Sequence, residues 1–249
     1  MDLDPQLAAL HPLGGFFVLR TTAAGNGPAV AALPTLAQTY ETLASGAPGN
    51  AMASRVAVIA DRLRTAEPRV AASLAQQGLA ARLWSVALGS AALYGRVPGL
   101  EPRLLRWDVS APLPDELWLT AVRPLPGNAA TLLDTVLHAH LEPLREALTS
   151  RYGVASGMLW GNAGSALAGA ARELDRWARA HGRTDVAERS AALARDLFAH
   201  PLLRATGTRT GTAFRRRSCC LYYRVPGGGV CGDCCFTRPP GSSPRAASG

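Results

Sequence analysis

Residues 79–95, LAARLWSVALGSAALYG, are apolar nearly all round a helical wheel. A helix on the surface of a fold keeps one polar face, and a helix without one belongs in the middle of a core. This stretch is the second half of a longer helical segment that Glu67-Pro68 opens and that runs to about Tyr94. A chain built around such a rod must supply other helices to cover it. Apolar residues recur at helical spacing over residues 34–45 and 52–65. They do so again from Ala130, where Leu133, Val136, Leu137, Leu141, Leu144 and Leu148 form one stripe that Pro143 is expected to kink or break.

Further helices are expected from near Asn162, with Leu167, Leu174 and Trp177 on one side, and from a cap at Thr184 with Asp185 and Glu188 in its first turn. Gly161-Asn162 reads as a buried turn entering the first of these, with Asn162 as its cap. Between the helical runs, RLLRWDV and ELWLTAVRP are short, rich in Leu, Trp and Val, and separated by the Pro-rich SAPLPD, which predicts a hairpin. Two strands alone are marginal, so they must pack on the helices or pair with the N-terminal region, where GGFFVLR is strand-like. The fold class is therefore mainly α with a small β-hairpin (α+β), a helical body followed by a C-terminal cysteine-rich loop. The organisation expected is an irregular segment over residues 1–28, a helical body over 29–204 with strands near 102–124, a cluster-binding segment over 205–238, and a disordered tail over 239–249.

Charge divides the chain in the same place. From Pro201 onward there are eight arginines and one acid, Asp233, so seven of the eight net positive charges fall on the last fifth of the molecule. A basic tail suits nucleic acid or anionic lipid, and equally suits something anionic bound inside the tail itself. The acidic N-terminus is not that of a secretory signal, and the longest uncharged run, residues 152–171, is broken by glycines and an asparagine, so no membrane span is expected. A cytoplasmic protein is the resulting expectation. There, clustered cysteines are ligands more often than disulfides.

All five cysteines lie within residues 219–235. Cys231 and Cys234 have the C-x-x-C spacing that lets a tight turn bring two thiolates to one metal, and Gly232 and Asp233 suit the turn. Cys219 and Cys220 are adjacent, and adjacent side chains diverge in extended backbone. Two diverging thiolates are easier to place on a dinuclear iron–sulfur centre than on one tetrahedral ion. A structural zinc on Cys219, Cys220, Cys231 and Cys234, or metal-free thiols, are the competing readings. The intervening VPGGG is free of Cβ crowding and suits close approach of amides to sulfur. A centre with two ferric ions, two sulfides and four thiolates carries about −2. Arg215, Arg216, Arg217 and Arg224 are placed to offset that charge.

RRSCCLYYRVPGGGVCGDC, residues 216–234, resembles the C-terminal [2Fe–2S] motif of FhuF-like ferric-siderophore reductases, Cys-Cys-x10-Cys-x2-Cys. The similarity extends more loosely upstream, through residues 70–100 and 157–178, to cover about residues 52–234. The resemblance implies a [2Fe–2S] cluster on Cys219, Cys220, Cys231 and Cys234, with Cys235 an addition to the pattern and a possible substitute ligand. It also implies a cytoplasmic reductase that takes one electron from a separate donor and passes it to a ferric siderophore, of hydroxamate type, releasing Fe(II). The rest of the sequence is compatible with this. There is no P-loop and no G-x-G-x-x-G placed between a strand and a helix, so no nucleotide or flavin site is suggested. His11, His138, His140, His181 and His200 are scattered and read as core or surface residues, and most of the tryptophans (Trp84, Trp107, Trp118, Trp160, Trp177) as core. No nucleic-acid partner is expected. An iron–sulfur carrier or sensor without a siderophore substrate, or a zinc-stabilised binding module, is the alternative function.

Overall fold

The computed structural model describes residues 4–22, 27–111 and 116–240. Its helices are α1 (Asp4–Ala8), α2 (Gly27–Ala31), α3 (Leu36–Ser45), α4 (Ala51–Arg62), α5 (Pro68–Tyr94), α6 (Ala129–Leu132), α7 (Glu142–Tyr152), α8 (Ser156–Ala180), α9 (Thr184–Phe198) and α10 (Pro201–Arg204). The strands are β1 (Arg20–Thr21), β2 (Arg96–Pro98), β3 (Leu105–Trp107), β4 (Leu117–Leu119), β5 (Pro124–Pro126), β6 (Gly207–Thr210) and β7 (Ala213–Arg216). The class is α+β: a helical body, small sheets of two or three strands, and the cysteines near the C-terminus.

Helix α5 is the axis. Nineteen of its residues are buried, from Val70 to Ala92, and it packs against α4, α8 and α9. Even Arg82 is buried in it, paired to Glu116 at 3.0 Å and donating to the Gly15 carbonyl. The expected hairpin forms as β3 and β4, antiparallel with Leu105 opposite Leu119 and Trp107 opposite Leu117. An N-terminal strand does join it: β1 lies parallel to β4, with Arg20 beside Trp118. It is shorter than GGFFVLR suggests, because Gly15–Phe17 closes into a 3-10 turn that seats Phe17 over Gly89 of α5. A Cβ at Gly89 would lie 2.9 Å from that ring, so the close approach requires glycine. The first 28 residues also hold the short helix α1 and the start of α2. Residues 112–115 of the Pro-rich loop and residues 241–249 of the expected disordered tail lie outside the described residues.

Three local expectations are corrected. Pro143 does not break the leucine stripe. The backbone ahead of it widens into a π-helix, Leu133–Leu141, in which the Glu142 N–H reaches back five residues to the Leu137 carbonyl. Pro143 then falls in the first turn of α7, where its missing N–H costs nothing. Val136, Leu137, Leu141, Leu144 and Leu148 are all buried. Thr184 is not the cap of α9: Arg183 holds that position without a side-chain cap bond, and its guanidinium instead grips Asp185 with two bonds of 2.9 Å. Helix α8 begins at Ser156, so Gly161 and Asn162 lie inside it rather than in a turn before it. The reason belongs to the site. Among the described residues no helix is long and apolar enough to cross a membrane.

Candidate metal centre

The cysteine segment is docked on the middle of α5 and α8 through a hairpin and a polar network. Strands β6 and β7 pair antiparallel, Gly207 opposite Arg216 and Thr210 opposite Ala213. Alternation along β7 turns Phe214 and Arg216 inward and leaves Arg215 exposed. Phe214 stacks on Phe198 of α9, with ring centroids 5.5 Å apart. The hairpin and the chain beyond it lie close on α8 because two of that helix's four glycines face them. A Cβ at Gly164 would stand 2.3 Å from the Thr206 hydroxyl, and one at Gly161 would stand 2.0 Å from that of Ser218.

Arg216 is the inward arginine, 2% exposed. It donates to the Asn162 side-chain oxygen and, at 3.4 Å, to that of Gln77. Asn162 completes its own hydrogen bonding through α5, donating to the Ser73 carbonyl at 2.9 Å and the Ser73 hydroxyl at 3.0 Å. That hydroxyl donates at 3.0 Å to the Cys220 carbonyl. Asn162 is thus a buried link between α5 and β7, not a cap. The acceptors around Arg216 are neutral amides, its Nε has no hydrogen-bond partner among the described residues, and its charge acts on Cys219, Cys220, Cys231 and Cys235. A buried cation with neutral partners is expensive unless an anion sits nearby.

Beyond β7 the chain turns sharply at Leu221, which takes the left-handed conformation at φ 70°. The turn points the Leu221 N–H at the Cys219 sulfur, 3.2 Å away. A short 3-10 turn, Tyr222–Arg224, follows. Leu221 and Val225 anchor it in a small apolar cluster with Val70 of α5, against which Leu63, Leu74 and Met158 also pack. The loop returns through the glycines to a tight turn in which the Cys234 N–H bonds the Cys231 carbonyl at 3.0 Å. Asp233, within that turn, is 8% exposed. It accepts from Ser165 at 2.7 Å and from Arg172 at 3.2 Å, and its own carbonyl accepts from the Arg216 N–H. The turn is therefore fastened to α8 by its one acid. The glycines do not supply the amide contacts to sulfur that their composition suggests. Those come from Leu221 to Cys219 and, at 3.4 Å, from Phe236 to Cys234, and the backbones of Tyr222 and Asp233 act likewise on Cys220 and Cys231. Gly228 is instead needed where the chain crosses the Tyr222 carbonyl, 2.3 Å from the position of a Cβ.

The five thiols are free and fall into two groups. Cys220 and Cys231 are paired, sulfur to sulfur 3.7 Å. Cys219, Cys234 and Cys235 converge, with all three sulfurs within 4.8 Å of one another. Neighbours in sequence, Cys219 and Cys220, thus serve different groups. Cys220 and Cys231 share a proton: the S–H of Cys231 holds the Cys220 thiol down to about 7 and is itself held on more tightly in return. Burial raises Cys219 and Cys235. Two adjoining sulfur groups beside a buried, unneutralised cation fit a dinuclear anionic centre.

Residues 216–236 match the family model of the FhuF 2Fe-2S C-terminal domain. The FhuF domain is a [2Fe–2S]-binding domain, and the cofactor here is a [2Fe–2S] cluster. No curated protein matches the chain. Of the four arginines expected around this FhuF-type segment, Arg216 alone is buried among the thiols. Arg215 donates to the Cys235 carbonyl at 3.1 Å, Arg224 pairs with Glu67 at 2.7 Å, and Arg217 is exposed. Ser73, Gln77 and Asn162 are residues of the FhuF-type site that sequence reasoning did not assign to it, and Asp233, expected there as a turn residue, also fastens the turn to α8. An asparagine within an otherwise small and apolar helix was the available signal for one of them.

Proposed function

We propose that this protein is a cytoplasmic ferric-siderophore reductase, with Cys219, Cys220, Cys231 and Cys234 as cluster ligands and a separate one-electron donor. The observation that carries the reading is the match of residues 216–236 to a FhuF [2Fe–2S] domain, joined to two sulfur groups set beside the buried Arg216. A bound [2Fe–2S] cluster supplies one electron, at a potential that reaches about −400 mV in plant-type sites. The chain's own residues do the rest. Arg216 offsets negative charge in a place water does not screen, which favours accepting an electron. The Leu221 and Phe236 amides stabilise thiolate at Cys219 and Cys234. Asp233 and Asn162 hold the two halves of the segment on α8, so the ligands stay in place when charge changes.

The substrate chemistry needs no acid, base or nucleophile. Hydroxamate oxygens are hard donors that prefer Fe(III), and one added electron gives a softer, weakly held Fe(II). The test is anaerobic: reduce with dithionite, record the visible and EPR spectra, then add a ferric trihydroxamate with an Fe(II) chelator present. A [2Fe–2S] signal that reoxidises as Fe(II) accumulates is the expected result. A signal indifferent to the chelate would make the protein a carrier or sensor.

A further inference from the structure

A cleft of about 460 Å³ opens on the face of the molecule that adjoins the cysteine turn. Its volume is that of a small-molecule site. Residues 13–17 form one wall, and α5 and α8 form the floor through Ala81, Ser85, Ala166 and Gly169. The end wall is the turn carrying Cys231 and Asp233. Resting on the reductase reading, we propose that this cleft is the docking site of the ferric chelate.

Three observations lead there. The first is position: Cys231, half of one sulfur pair, lines the cleft, so a bound chelate lies beside the redox centre, and electron transfer falls steeply with distance. The second is the character of the walls. Phe17 is buried under the wall, while its neighbour Phe16 is 41% exposed on the cleft side, a free aromatic face for an organic ligand. The α8 floor is small-sided, and a Cβ on Gly169 would meet only Arg172, 4.0 Å away. The third is charge. The charged residues of the lining are Arg172, Glu173 and Asp233. Arg172 is committed to Asp233, and Glu173 pairs with Arg176. With both pairs closed, the lining presents little net field to repel an organic chelate of low charge. The polar lining also reaches the centre: Gln77 holds Arg216, and Ser165 and Arg172 hold Asp233.

The stoichiometry is one electron per chelate. An external one-electron donor first reduces the protein; the chelate's Fe(III) then takes that electron and becomes Fe(II). No bond in the organic ligand breaks, and the hydroxamates take up protons from water as they leave the metal.

The experiment separates docking from reduction. The Ga(III) complex of a linear trihydroxamate matches the ferric complex in charge and shape and is not reduced. Its binding to the cluster-loaded protein is measured by calorimetry, alongside the reoxidation rate with the Fe(III) complex and with ferricyanide. Gly169→Phe, which grows into the cleft from α8, and Ala81→Trp, which does so from α5, are each expected to weaken Ga(III) binding and slow ferric trihydroxamate reoxidation at least tenfold. EPR and ferricyanide reoxidation should stay as in the parent. Two substitutions on opposite walls guard against a folding defect in either. Parent-like binding in both variants overturns the cleft while leaving the reductase reading intact. Ga(III) binding that both variants lose, in a parent protein that never reduces the Fe(III) complex, upholds the cleft and removes the reductase reading.

Discussion

The helical body and the cysteine segment are stabilised by different means. The body is a layered apolar core around α5, in which some buried polar atoms, the Trp84 and Trp107 Nε1 and the Ser90 and Ser190 hydroxyls among them, have no hydrogen-bond partner among the described residues. The segment's own apolar anchor is the small cluster around Val70, Leu221 and Val225, and most of its other ties are hydrogen bonds to side chains in the middle of α5 and α8. A helix interior is the stiffest place such bonds could be sited. The lesson is that the body acts as a rigid template, and the segment has a defined shape only while docked on it.

Gly161→Val tests that dependence most severely. The new side chain occupies the space of the Ser218 hydroxyl, so the segment should undock, and the cluster absorbance should fall below about a tenth of the parent value while far-UV helicity is kept. Retention of both would show that the segment does not need the template.

The body has a separate weak point. His140 is fully buried and neutral, with Nδ1 accepting from the Tyr40 hydroxyl at 2.8 Å and Nε2–H donating to the Leu100 carbonyl at 2.5 Å. Burial lowers its pKa to about 4. Between that value and the unfolded imidazole's about 6.5, the unfolded chain binds more protons than the native one. Stability present above about pH 6.5 is therefore lost as pH falls through 4, by about 3 kcal/mol in all. Chemical denaturation of the body across this range should show that slope, and His140→Phe should flatten it.

Within the segment the contrast is between arginines. Arg216→Gln should lower the cluster's reduction potential by roughly 60 mV, a tenfold change in its redox equilibrium, whereas Arg217→Gln, exposed and screened, should move it by a small fraction of that. Equal shifts in a titration followed by EPR would remove the special role of the buried residue. The smallest effect is expected at Cys235. Its serine variant should keep the parent spectrum, and loss of the visible bands would make it the ligand in place of Cys234.

What was legible in the sequence follows the range of the forces involved. Helix α5 declared itself because burial on all sides leaves no polar stripe, a property local to its own residues. The cluster segment was legible because two spacings, an adjacent pair and a C-x-x-C, suit few other structures. Asn162 was misread because an amide in a glycine-rich run resembles a cap until its partners are known, and those are Ser73 and Arg216, 89 and 54 residues away. The choice among three consecutive arginines depends on the β6–β7 register, although alternation from Phe214 already singles out the middle one. The cleft was not legible, since its walls come from both ends of the chain.

Phe17 bears on that last point. Its ring rests on Gly89, on a part of α5 that does not line the cleft, and carries the 13–17 wall with it. The aperture of the cleft is thereby set partly from underneath, at Gly89, which does not line it. A methyl group at position 89 would lift the ring and resize the opening while leaving every side chain that faces it unchanged. The width of the opening can in this way drift by single exchanges beneath the wall, with the cysteine segment untouched.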